Sequence, residues 1–70
     1  MTLEEYRIEC GWSQAEMSRQ ARVDVNTIRR AIAGEKVSLN TAAKLAKAIS
    51  KELDTNIRYT QIEGLNVAVK

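Results

Sequence analysis

The stretch Ser13–Gly34, SQAEMSRQARVDVNTIRRAIAG, decides how the rest of the chain is read. It holds two helix starts separated by a short break. Ser13 with Glu16 three residues later reads as a capping box, and Trp12 and Met17 occupy the two positions of a hydrophobic staple. The helix that begins there buries Met17 and Ala21 and is expected to end near Arg22. Val23 then packs inward, and Asp24 is a natural N-cap for a second helix running through Ala33, with Gly34 as its terminator. On that second helix Ile28, Ala31 and Ile32 turn toward the core, which leaves Val25, Asn26, Arg29 and Arg30 on the outer side. Nothing in the folding of so short a helix asks for an asparagine and two adjacent arginines there.

Working outward, Thr2 and Glu5 form another capping box, so a first helix carrying Leu3 and Tyr6 precedes the stretch and stops at Gly11. After it, Glu35–Val37 reads as a short loop. Ser38 caps a fourth helix, SLNTAAKLAKAIS, with Leu39, Ala42, Ala43, Ala46 and Ile49 on one face. Lys44, Lys47 and Lys51 form its solvated side. Beyond Leu53 the chain becomes rich in β-branched and aromatic residues, NIRYTQIEGLNVAVK, with Glu63-Gly64 as a turn. The pattern predicts a hairpin with strands near Ile57–Ile62 and Leu65–Val69. The expected fold is therefore mainly α, a compact four-helix domain over residues 1–53 with a short C-terminal β-hairpin over 54–70 in place of a fifth helix.

Seventy residues bound this to one small domain with a modest core. Hydrophobic residues at 44% and charged residues at 29% describe a globular chain rather than a disordered one. The chain has no run near the roughly 18 apolar residues of a membrane span, and no signal-peptide pattern, so a cytoplasmic address is expected. Its single cysteine, Cys10, fits a reducing compartment and reads as an inert residue near a helix end. With no histidine, no thiolate partner for Cys10, no phosphate loop and no metal-ligand spacing, the sequence is not that of an enzyme and calls for no cofactor. A net charge of +2 is too small to argue from, so the positions of the cations matter more.

Two short helices joined by a tight break at residues 21–24, with one helix before and one after, are arranged as a helix-turn-helix. GWSQAEMSRQARVDVNTIRRAIAGEK followed by SLNTAAKLAKAIS resembles the Cro and phage-repressor (XRE-like) type of DNA-binding domain over about residues 3–50. The resemblance rests on Ser13-Gln14, Ala21 and Val23 at the turn, Thr27-Ile28, Gly34, Ser38-Leu39, and Lys44 with Ala46-Lys47-Ala48. It implies that residues 24–33 are the recognition helix, lying in the major groove of double-stranded DNA with Val25, Asn26, Arg29 and Arg30 at the base edges. Asparagine pairs bidentately with adenine, arginine with guanine, and valine packs on a thymine methyl. Gln14 matches the position whose side chain and amide meet a phosphate at a helix N-terminus. Thr27, Lys36 and Arg7 are further phosphate candidates.

Two positions depart from the family pattern. Arg22 stands where a glycine is usual, and a positive φ there costs on the order of 1 kcal/mol. Ile32 stands where the family often has a glutamate paired with the arginine matching Arg7, which leaves Arg7 to Glu4 or to DNA. The function implied is a sequence-specific transcriptional regulator, a repressor acting as a homodimer on a pseudo-palindromic operator. Ile57, Tyr59, Val67 and Val69 on the C-terminal segment are the dimerisation candidates; a hairpin folded over its own helices is the competing arrangement. Two other uses of the scaffold stay open: an antitoxin or similar module gripping a protein through the C-terminal segment, and a phage or mobile-element accessory factor.

Overall fold

All four helices of the computed structural model, which describes residues 1–68, begin on a side-chain cap and close in one way. Thr2, Ser13, Asp24 and Ser38 accept amide hydrogens from Glu5, Glu16, Asn26 and Thr41, each cap contributing about 1 kcal/mol. The helices so opened are α1 (Leu3–Glu9), α2 (Gln14–Ala21), α3 (Val25–Ile32) and α4 (Leu39–Leu53). At their far ends the amides of Trp12, Val23, Glu35 and Thr55 reach back to the carbonyls of Arg7, Ser18, Arg30 and Ser50. That closure needs a left-handed residue just before it. Gly11 and Gly34 supply it at φ 73° and 87°, and Arg22 and Asp54 adopt it at 57° and 51° without being glycine. Arg22 thus carries the strain expected of a non-glycine residue at that position.

The Thr2–Glu5 box is complete in both directions. The Ser13 box is only half formed, because the Glu16 carboxylate turns to Arg19 and Gln20 instead of reaching back to the N-cap. The core gathers Leu3 and Tyr6 from α1, Trp12 from the link, Met17 and Ala21 from α2, and Ile28 and Ala31 from α3. Ile32 is half-buried against it. Helix α4 presents Ala42, Leu45, Ala46 and Ile49, so its buried stripe is centred about one residue away from the expected one. Leu39 is 45% exposed and Ala43 faces solvent, while Leu45 is fully buried.

The C-terminal segment departs most from expectation. Its two halves do not pair as a hairpin. Residues Tyr59–Gln61 form a 3₁₀ turn, and β2 (Val67–Ala68) pairs in parallel with β1 (Val37–Ser38), Val37 opposite Val67 and Ser38 opposite Ala68. Polar groups nearer in sequence claim the first half. The Ser50 hydroxyl accepts the Ile57 amide at 2.9 Å, and its own proton lies between the carbonyls of Ala46 (2.7 Å) and Ile57 (3.0 Å). The Arg58 amide donates to Gln61 Oε1 at 2.7 Å, and the Ile62 amide to the Tyr59 carbonyl. These bonds wind the chain tightly enough to drive Ile62 into the core at 3% exposure.

Glu63 then lies beside Thr2 in a parallel bridge, its amide donating to the Met1 carbonyl at 3.0 Å. The segment therefore spans from α4 to the N-terminus and back to β1. Its apolar residues complete the same core as residues 1–53, and Val69 lies outside the described residues. Truncating Ile62 to alanine should lower unfolding stability by about 2–4 kcal/mol, read as a lower urea midpoint at unchanged slope. A loss below about 0.5 kcal/mol would show that the segment is not part of the cooperative core.

Candidate nucleic-acid interface

The turn that aims α3 is built from Ser18 to Asp24. The Ser18 carbonyl accepts the amides of Arg22 and Val23, and its hydroxyl donates to the Val23 carbonyl. Val23 is buried, so both its backbone and its side chain are held, and Asp24 starts α3 directly afterward. The inner side of α3 is consumed by Ile28 and Ala31, packed against Met17 and Ala21 of α2 in one core cluster. Its outer side carries Asn26, Arg29 and Arg30 exposed, with Val25 and Thr27 half-buried at its edge. The structure therefore brings the four base-contact candidates onto one solvent-facing side of a single helix.

Gln14, at the first turn of α2, joins that side. Arg29 Nε donates to Gln14 Oε1 at 3.4 Å, and Arg29 Nη1 donates to Asn26 Oδ1 at 3.3 Å. Both contacts are long and solvent-exposed, so they bias the guanidinium without locking it. Gln14 and Arg29 are 15 residues apart, and no spacing rule within one helix would have paired them. Lys36 is exposed on the loop between α3 and β1.

Among the described residues the ion pairs are Arg7–Glu4, Arg19–Glu16 and the N-terminus with Glu63, so Arg29, Arg30 and Lys36 enter none. The Asp24 carboxylate caps α3 through the Asn26 amide at 2.7 Å. The outer face of α3 thus carries positive charge without an ion-paired carboxylate.

Arg7 falls outside this group. Its Nε and Nη2 donate to the two Glu4 oxygens at 2.9 and 2.5 Å, and Nη1 donates to the Trp12 carbonyl at 2.6 Å. Only 19% of its side chain is exposed. With the fork filled on three sides, Arg7 clamps α1 to the link before α2. Without a glutamate at position 32, the arginine takes its partner from its own helix. The bidentate bond holds the Glu4 carboxyl below the ordinary carboxylate range and raises Arg7 further.

A helix-turn-helix family model matches residues 3–56, which covers all four helices and the turn between α2 and α3. The chain belongs to the Cro/repressor-type helix-turn-helix family. No curated protein and no solved structure matches it. Members of this family are DNA-binding regulators rather than enzymes, and this helix-turn-helix chain is a DNA-binding regulator of that type. None of its helices, among the described residues, is long and apolar enough to cross a membrane.

The Glu4–Arg7 bond has a pH signature. A carboxyl depressed in the folded state contributes stability above its unfolded value near 4.5, and that contribution is lost as pH falls through the lower folded value. The melting temperature of the wild-type chain should therefore fall more steeply between about pH 5 and about pH 3 than that of Glu4→Gln. Parallel profiles would show that the bond adds nothing in solution.

Proposed function

We propose that the chain is a sequence-specific repressor that places α3 in the major groove, with Asn26 and Arg30 reading base edges. The exposed polar set on α3, free of ion pairs among the described residues, carries this reading, since the inner side of that helix is committed to the core. Arg29, steadied by Gln14 and Asn26, is the third base reader, and Val25 packs against a thymine methyl at the groove wall. Gln14 at the positive end of α2, Thr27 at the edge of α3 and Lys36 on the following loop meet phosphates on either side.

One recognition helix covers little DNA, and specific affinity in this class comes from pairing two. We infer a homodimer on a pseudo-palindromic operator with half-site centres about 10 base pairs apart. Ile57 and Tyr59 are half-buried beside an open groove of about 540 Å³ between α4 and the C-terminal segment, floored by Ala43 and Ala46. This groove is the proposed dimer seat; half-buried Val67 lies outside its lining, on β2 beside Val37. The same groove also favours a second reading, in which a different protein occupies it as in an antitoxin complex.

Sedimentation equilibrium with a palindromic duplex selected from random DNA separates the two. Two chains per duplex support the homodimer, and one chain per duplex overturns it. On that duplex, Asn26→Ala or Arg30→Ala should cost about 1–3 kcal/mol on the selected site and much less on random DNA, by fluorescence anisotropy. Equal losses on both would refute base reading. Lys36→Ala should weaken both alike and flatten the salt slope by about one unit, and an unchanged slope would remove it from the phosphate contacts.

A further inference from the structure

A second basic surface lies at the other end of α2 from Gln14. A groove of about 350 Å³ between the end of α2 and the outer side of α4 is rimmed by Arg22, Lys44, Lys47 and Lys51, and no carboxylate lines it. Ala21 and Ala48 are its least exposed lining residues, so its floor is small and apolar. None of the four cations enters an ion pair among the described residues. They leave one face strongly basic on a chain whose net charge is only +2.

The compensating acids gather elsewhere. Glu9 is the last residue of α1, and Glu52 lies in the last turn of α4. Both positions face the negative end of their own helix dipole, so neither carboxylate is favoured by the helix that carries it. They lie close enough together that both raise the Cys10 thiol, after burial as the larger cause. Beside them on α1 stands Ile8, 63% exposed and the most exposed of the large apolar residues, with Glu5 one turn before Glu9.

We propose that this acidic, isoleucine-bearing side of α1 docks into the basic α2–α4 groove of a second copy of the chain. Glu5, whose Oε1 accepts the Thr2 amide and leaves Oε2 outward, and Glu9 are four residues apart, about 6 Å along a helix, and Lys47 and Lys51 have the same spacing. Two helices laid side by side therefore match carboxylate to ammonium at two steps, while Ile8 enters over Ala21 and Ala48. In this head-to-tail contact the acidic side of one copy fills the groove of the next, and each copy of a bound pair keeps one unused half. It extends along a row of copies instead of closing a pair, and it leaves the outer face of α3 uncovered. Regulators on adjacent DNA sites would then hold one another in place. Lys47 also lines the homodimer seat proposed above, whereas Lys51 lines the basic groove alone and so reports on this contact.

Sedimentation velocity of the full chain tests it, at low and high sodium chloride over a range of concentrations. The expected result is a mass that rises with concentration beyond any salt-resistant dimer and falls back at high salt. Lys51→Glu or Glu9→Lys alone should weaken this association about fivefold or more, and Ile8→Ser should do the same without altering the charge. Mixing the Lys51→Glu and Glu9→Lys chains should restore pairing between the two, because the native acidic side of the first meets the native groove of the second. A mass independent of salt, single variants that associate like the wild type, or a mixture that stays dissociated would each overturn the proposal. A salt-resistant dimer left in every sample bears only on the homodimer. All three positions are exposed, so circular dichroism should show the variants folded.

Discussion

The angle between α2 and α3 is the constraint on which the rest depends, and it is set by how Ser18 and Val23 hold the turn between them. A chain leaving α2 in any other direction would start α3 elsewhere and strand Ile28 and Ala31 outside the core. The left-handed backbone at Arg22 is strained for a residue with a side chain, by about 1 kcal/mol. It persists because the buried Val23 and the Ser18 hydrogen bonds over-determine the path. Once α3 is placed, its outer side chains need no further positioning from tertiary contacts, apart from the light tether of Arg29 to Gln14.

The remainder of the fold supports that geometry from two sides. Arg7 joins α1 to the start of α2 through a charged fork and a carbonyl, where a packed apolar contact would leave the Trp12 carbonyl unpartnered. From the other side, Ile62 and the short parallel pair of Val37 with Val67 seal the end of the core that the alanine-rich α4 leaves thin. Ala42 and Ala46 let elements approach closely but contribute little apolar area of their own, so part of the core must come from outside the four helices. The C-terminal segment meets that need, which is why it lies against the helices.

Much of the candidate interface was legible because it depends on local signals. Caps at Thr2, Ser13, Asp24 and Ser38 act within three residues of themselves, and the 3.6-residue period of α3 sorts Ile28 and Ala31 from Asn26, Arg29 and Arg30 without any partner helix. Where two local bonds compete, the sequence is silent. Glu16 had three acceptable donors and took the pair on its own helix. Arg7 was open to Glu4 or to DNA, and the nearby carboxylate with the Trp12 carbonyl filled its fork. The alanines of α4 weaken its apolar pattern, so the buried stripe could be misplaced by a residue and Leu39 mistaken for core.

By itself, the sequence determined four helices, the starts of all four and the ends of the first three, the turn and the side of α3 that faces outward, because each follows from groups a few residues apart. Only the tertiary structure decided the path of residues 54–68. Their β-branched composition permits a hairpin, a strand beside Val37 or a tight turn almost equally. The choice is made by a hydroxyl on α4, by the space left for Ile62, and by a strand edge some 30 residues earlier. Such non-local partners leave no periodic trace in the chain, and their energies appear only when the core is assembled.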